Sequence, residues 1–176
     1  YILIFVLGLG LGSFINSWIW RRHENVKIAG GRSMCVNCRR KLRWYENIPL
    51  LSYLILKGKC KTCYNKIPAH YVWVELLAAF LLVFIAYYHV SIAPKFEMNV
   101  FHRDIIFAGL LIVIFIYDYL YKIILPSVIW LGVIAAVFFN FYILNYDLIS
   151  LAIGAAVGFG FFFLQYVVSG GKWIGG

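Results

Sequence analysis

Long apolar runs with almost no charge constrain this chain more than any other feature. The first run, Tyr1–Trp20, contains no charged residue, and about 20 consecutive apolar residues suffice to span a bilayer as a helix. Its length and the lack of a basic lead-in favour a true span over the alternative, a cleavable signal peptide. Four further runs follow at 71–90, 105–121, 124–139 and 148–168. The pattern predicts an all-α polytopic membrane protein with about five transmembrane helices.

Composition supports this fold class. Hydrophobic residues make up 64% of the 176 positions and charged residues only 13%, whereas soluble domains carry about 45–50% apolar and about 25% charged residues. The surplus of apolar side chains therefore has to face lipid. This excludes an ordinary soluble enzyme and a disordered chain.

The positive charge is concentrated between the first two spans. Lys and Arg number 16 against 7 Asp and Glu, and twelve of these basic residues lie between positions 21 and 66. Because cytoplasmic loops are enriched in Lys and Arg, we expect the insert at 21–70 to be cytoplasmic, followed by a helical membrane domain at 71–168. A Gly-rich tail at 169–176 is then cytoplasmic too. Anionic lipid is the expected partner of this charge. Nucleic acid is not an expected partner, since the insert has few aromatic residues on which bases could stack.

Four cysteines lie inside the basic insert. Cys35 and Cys38 form one C-x2-C pair, and Cys60 and Cys63 form a second pair after 21 intervening residues. Two such pairs are typical of a four-thiolate structural zinc site, whose metal would supply folding energy to a segment with little core of its own. A redox dithiol, disulfides and a site without metal stay open as alternatives, although a cytoplasmic location disfavours stable disulfides.

Two carboxylates lie within the predicted spans. Ionisable groups at membrane depth are costly and therefore point to function, and the two candidates are Glu75 and Asp118. Asp118 lies near the end of its span, so it could instead reach the interface and pair with Lys122 four residues later. An aspartic mechanism needs a second carboxylate nearby, and no other acid in the sequence is well placed for that role.

Two pairs of glycines recur at four-residue spacing. Gly8 and Gly12 lie in the first run, and Gly154 and Gly158 lie in the last. Small residues at this spacing let helix backbones approach closely within a membrane. We therefore expect both pairs to mark helix-packing faces.

Several motifs together resemble the prepilin peptidase family, also called type IV leader peptidases. The match begins with GSFIN at Gly12–Asn16, and the RSMCVNC run at 32–38 then opens the cysteine insert. The most specific run is WYENIPLLSYL at 44–54, followed by GKCKTC at 58–63. The resemblance is close over residues 8–80 and looser over 105–176.

The resemblance implies an enzyme of the bacterial inner membrane. Family members are GxGD-type aspartic endopeptidases that remove the leader of type IV prepilins or of related pseudopilins, and many then methylate the new N-terminus with S-adenosylmethionine. It implies that Asp118 is catalytic. It also implies contacts with the substrate or the methyl donor; the candidates are Glu46, Asn47, Pro49 and Glu75.

One departure from the family pattern bears on activity. The second aspartate, expected within a GxGD motif, is absent from the 176 residues. We expect it to follow Gly176, so that the given residues alone would not cleave a substrate. The alternative functions are a non-enzymatic membrane adaptor with a zinc-binding docking insert, or a transporter fragment with a proton path through Asp118 and Glu75. Nothing in the sequence indicates an oligomeric state.

Overall fold

Helices form where the apolar runs predict them. The computed structural model describes residues 1–28 and 31–170, and its α-helices are α1 (Ile2–His23), α2 (Leu51–Ile55), α3 (His70–Tyr87), α4 (Met98–Tyr121), α5 (Pro126–Val137) and α6 (Leu148–Ser169). Turns of π-helix extend α3 over Tyr88–Ile92 and α5 over Phe138–Ile143. A short 3₁₀ helix covers Trp44–Asn47.

Five of these elements are long and apolar enough to cross a membrane. The candidate spans are Ile2–His23, His70–Ile92, Met98–Tyr121, Pro126–Ile143 and Leu148–Ser169. The expected all-α polytopic architecture is therefore confirmed. The third span begins at Met98 rather than at 105, because polar groups in its first turns find partners. Asp104 accepts hydrogen bonds from Arg103 and pairs with His89 Nε2 at 2.9 Å.

The closest helix contact joins α1 to α3 through glycines. A Cβ placed on Gly8 would lie 2.4 Å from the Cα of Ala79, and one on Gly12 would lie 2.6 Å from the Cα of Glu75. The Asn16 side chain donates to the carbonyl oxygen of Tyr71 at 2.9 Å in the same interface. Gly8 and Gly12 thus form the packing face that their spacing predicts.

The core of the first unit, residues 1–129, is built on this pair of helices. Its buried side chains come from α1, α3 and α4, and they are Ile15, Ile19, Val74, Ala78, Ile112, Ile116 and Tyr117. Packing of α4 on α3 brings the end of α4 to the end of α1, where the rings of His23 and Tyr121 stack with centroids 3.7 Å apart. The three helices form the scaffold on which the insert is mounted.

The second unit begins at Trp130 and is described as far as residue 170. Asp147 caps α6 by accepting from the Ser150 amide at 3.1 Å, and Gly170 ends the helix in the left-handed conformation. No atom of this unit lies within 4 Å of a Cβ built on Gly154 or Gly158, so here the spacing forms no packing face among the described residues. The predicted Gly-rich tail lies outside the described residues from position 171 onward.

The α1–α3 interface gives a direct test of the fold. Gly12→Ala forces a Cβ into the backbone of α3 and should destabilise the protein by about 1–3 kcal/mol, the usual cost of overpacking. Gly10→Ala is the matched control, because a Cβ there meets nothing within 4 Å. Thermal unfolding of the detergent-purified protein measures both variants. Equal stability of the two would contradict the close packing of α1 on α3.

Candidate metal centre and adjoining cleft

The two cysteine pairs adopt the same local fold. Isolated antiparallel bridges close both loops, one between Met34 and Lys41 and the other between Lys59 and Lys66. In each loop the amide of the first cysteine and its carbonyl make the same two backbone hydrogen bonds, at 2.9 and 3.0 Å. The residue after the second cysteine has a positive φ in both, 58° at Arg39 and 56° at Tyr64. The insert therefore contains two copies of one knuckle.

The knuckles bring all four sulfur atoms together. The Sγ atoms of Cys35, Cys38, Cys60 and Cys63 all lie within 4.8 Å of one another, and those of Cys35 and Cys63 are 3.9 Å apart. Ligands at about 2.3 Å around a tetrahedral Zn²⁺ would be about 3.8 Å apart. The thiols are free rather than paired in disulfides. The donor set and its spacing thus fit one tetrahedral metal ion with soft ligands.

The protein environment prepares one cysteine for metal binding. Backbone amides of Cys63 and Thr62 donate to the Cys60 sulfur and lower its pKa to about 6. Burial has the opposite effect on Cys35 and raises its pKa to about 11. Because metals bind thiolates and release protons, Cys60 would bind a metal ion as a thiolate that is already present, whereas Cys35 would lose its proton on binding.

An ion pair buried beside the knuckles supports the sulfur cluster. Arg40 makes a two-pronged contact to Glu46, with N–O distances of 3.0 and 2.9 Å, and the Glu46 side chain is 1% exposed. This contact and the amide of Arg43 hold the pKa of Glu46 below its usual range. The guanidinium also interacts with Cys60, and its buried Nε has no acceptor among the described residues. Arg40 therefore places positive charge against a metal ligand.

A cleft lies between the insert and the first two spans. Its volume is about 1010 Å³, including its open mouth, and its walls come from α1, the insert and α3. Three residues predicted to contact substrate or methyl donor line it, namely Glu46, Asn47 and Glu75. The fourth, Pro49, lines a neighbouring hollow together with Asn47. The structure therefore places these four candidates in one region.

The four candidates differ in whether their side chains already have hydrogen-bond partners within the protein. Both oxygens of Glu46 are engaged by Arg40 and the Arg43 amide. Glu75 is buried and accepts the Leu50 amide at 2.7 Å. The Asn47 side chain is exposed and makes no hydrogen bond within the described chain. Of these candidates, Asn47 therefore has the polar group most available to a ligand.

Asp118 lies outside this cleft. It is exposed in the last turn of α4, and no side-chain partner of its carboxylate is found among the described residues. The considered ion pair with Lys122 does not form. Lys122 instead takes the left-handed conformation that ends α4, and its ammonium lies 5.5 Å from the centre of the Tyr119 ring. The Asp118 carboxylate is thus free to contact a substrate.

Sequence reasoning missed the roles of two arginines. Arg21 is 6% exposed and donates to four carbonyl oxygens of the insert, those of Lys27, Ile28, Gly31 and Arg32. The sequence indicates only that Arg21 and Arg40 are basic residues of the insert. An arginine directly after an apolar run is the one available signal for Arg21, and it also fits a simple topology charge.

Comparisons with known proteins show which proteins the N-terminal part of this chain is similar to. Residues 6–89 match the family model described as the bacterial peptidase A24 N-terminal domain. A prepilin leader peptidase/N-methyltransferase of Vibrio cholerae is 42% identical over 97 residues, 50% of this chain and 38% of the relative. The matched part of the chain is thus similar to the N-terminal domain of the prepilin peptidase family. This confirms the resemblance seen in the sequence motifs.

Further relatives of the prepilin peptidase family carry the same printed name. The Myxococcus xanthus protein is 46% identical over 80 residues, 46% of this chain and 24% of the relative. The Dichelobacter nodosus protein is 37% identical over 128 residues, 69% of this chain and 42% of the relative. The matches thus span less than half the length of these relatives. No solved structure matches the chain significantly.

Removal of one thiolate tests the metal centre. We expect the purified parent protein to hold about one metal ion per chain, and Cys60→Ser to hold almost none, because a closed site needs all four ligands. Elemental analysis by mass spectrometry measures the ratio. Thr62→Ser, within the same knuckle, is the control and should retain the ion. A parent without metal would contradict the site and favour the redox or metal-free alternatives.

A second test compares how much the buried ion pair and a surface ion pair contribute to metal affinity. Glu46→Gln should weaken metal affinity by about 10-fold or more, as the loss of groups that orient metal ligands usually does. Competition with a chromogenic chelator gives the affinity. Glu24→Gln is the matched control, since Glu24 pairs with Arg39 at the surface, where such pairs contribute little. Equal effects of both changes would show that Arg40 and Glu46 do not support the cluster.

Proposed function

We propose that the protein removes the leader peptide of prepilins or pseudopilins and then methylates the new N-terminus. The coincidence of two independent features carries this proposal. The residues that match the family, 6–89, are those that build α1, the cysteine insert and α3 into one assembly around a cleft. The relatives are named for both activities. Nothing in those names favours the adaptor alternative.

We propose Asp118 as one carboxylate of an aspartic protease pair. Two carboxylates that share a proton divide the work of hydrolysis, because one activates water while the other protonates the developing products. The exposed position of Asp118 near the end of a span suits a peptide bond presented at the membrane interface. The family motif carries the assignment, and none of the other acidic residues is proposed as the partner.

Zinc is the proposed metal of the cysteine cluster, with a structural role. Four thiolates leave no open coordination position for catalysis, so the ion would join the two knuckles and fix the walls of the cleft. Cys35, Cys38, Cys60 and Cys63 would hold it.

The cleft is the proposed site for S-adenosylmethionine. Its mixture of apolar walls with a few polar groups is typical of small-molecule sites. When bound, the cofactor supplies an electrophilic methyl group to the freed N-terminal amine. Of this chain, Asn47 would bind polar atoms of the ligand, whereas Glu46 would fix the wall through Arg40. Glu75 and Pro49 would shape the end of the cleft between α1 and the insert.

Membrane orientation follows from the insert. The concentration of Lys and Arg between residues 21 and 66 favours a cytoplasmic location for the insert, the cleft and the end of α4 that carries Asp118. We propose the bacterial inner membrane as the location, where prepilins meet the enzyme before assembly. Lipid would surround the spans.

Loss of Asp118 tests the proposed function. In the full-length protein, Asp118→Asn should lower prepilin cleavage by about 100-fold or more, since it removes a proton-transferring group. Methylation should be lost as well, because its amine substrate is never released. Mass spectrometry of the pilin N-terminus reports both steps. Asp147→Asn is the control, since Asn caps a helix as well as Asp does; cleavage by Asp118→Asn at the control's rate would contradict the assignment.

A further inference from the structure

The insert reaches far along the two membrane helices. The Leu50 amide contacts the Glu75 carboxylate at 2.7 Å, and the Cα of Glu75 packs on Gly12. At 1.5 Å per residue, Glu75 lies about 7 Å inside α3 from its first residue, and Gly12 lies about 12 Å inside α1 from Trp20. The backbone of Leu50 is therefore level with the apolar parts of both spans.

A helix with an exposed apolar face continues from this point. In α2 the side chains of Leu51, Leu54 and Ile55 are 50%, 63% and 69% exposed, and their spacing places them on one face of the helix. Phe14 and Trp73, at similar levels of α1 and α3, are 62% and 70% exposed. The apolar face of α2 thus lies at the same depth as exposed apolar side chains of the two spans.

Four peptide N–H groups of this segment are hydrogen-bonded within the protein. The peptide N–H groups of Leu50, Leu51, Ser52 and Leu54 each have an acceptor, which are in turn Glu75 Oε2 and the carbonyls of Pro49, Ile48 and Leu50. Position 49 is a proline and has no N–H group. Non-helical backbone is tolerated at membrane depth only when its polar groups are paired inside the protein. Of these four acceptors, only the Glu75 carboxylate lies outside residues 48–54.

The turn at Leu50 shows that this arrangement is held by its surroundings. Leu50 has φ 61° and ψ −51°, a strained conformation for a residue with a side chain. The Leu51 amide donates across the turn to the Pro49 carbonyl at 2.6 Å. Such a turn reverses the direction of the chain. The segment therefore runs along the helices as far as the level of Glu75 and turns back within a few residues.

We propose that residues 49–55 re-enter the bilayer from the side of the cysteine insert, with Leu51, Leu54 and Ile55 in contact with lipid acyl chains. Glu75 is then the acceptor within the membrane that allows the polypeptide to turn at that depth. Lys57 and Lys59 are exposed directly after the segment, where they would meet anionic lipid headgroups as the chain leaves the bilayer. The proposal rests on the membrane helices and not on the peptidase or methyltransferase activity.

Spin-label accessibility in lipid vesicles tests the proposal. A nitroxide amino acid, introduced by codon suppression so that the cysteines stay untouched, replaces Leu54 in the full chain. Phe80 on α3, exposed to the same extent, serves as the lipid reference, and Thr62 of the second knuckle serves as the water reference. We expect the Leu54 label to be relaxed by oxygen more than by a water-soluble nickel chelate, as at Phe80.

The opposite result would overturn the proposal. A Leu54 label relaxed chiefly by the nickel chelate, as at Thr62, would place the α2 face in water. A photoreactive amino acid at Ile55 gives an independent measurement, and we expect its cross-links to go to phospholipid. Cross-links to a prepilin without lipid adducts would assign the face to a protein partner instead. Neither readout depends on cleavage or methylation, so it stands whether or not the proposed function holds.

Discussion

One hydrogen bond at membrane depth, from the Leu50 amide to the Glu75 carboxylate, ties the insert to the membrane helices. A buried carboxylate in a span is expensive unless it is paired, and here the pairing is with the backbone of the insert. At the same level, Gly12 lets α1 approach α3 closely. The glycine face, the intramembrane acid and the strained turn at Leu50 thus belong to one structural unit.

The sulfur cluster lies at the other end of the same cleft. The two knuckles place four thiols around one point, and Arg40 connects that point to Glu46 at the start of the segment that descends to Leu50. A metal ion at the knuckles and an acid in the membrane would therefore fix opposite ends of one short polypeptide. Between them lies Asn47, whose exposed side chain makes no hydrogen bond among the described residues. Such an arrangement would fix the wall of the proposed ligand site without using this polar group.

Much of this arrangement could be predicted from local sequence. Apolar runs indicated the helices closely, since α1 ends at His23 and the first run ends at Trp20. The knuckles followed from cysteine spacing alone. The early start of α4 could not be predicted, because it depends on His89 pairing with Asp104 from a different helix. The family assignment came from motifs that local physics does not explain.

Contacts between distant residues account for what the sequence did not show. Glu75 is a candidate because it lies within a predicted span. The group that donates to it is a backbone amide 25 positions away, and residue type does not indicate which acceptor a backbone amide will find. Arg40 was one of many basic residues until its contact with a buried glutamate distinguished it. Gly154 and Gly158 have the same spacing as Gly8 and Gly12, yet only the first pair meets a helix among the described residues.

Hydrogen exchange in lipid nanodiscs tests most directly whether Glu75 holds the insert to the helices. The peptide covering residues 48–54 should exchange slowly in the parent protein and much faster in Glu75→Ala, while peptides from the two knuckles keep their protection. Glu75→Gln, which retains an acceptor oxygen, should keep most of the protection at 48–54. Unchanged exchange of this peptide in Glu75→Ala would contradict the account.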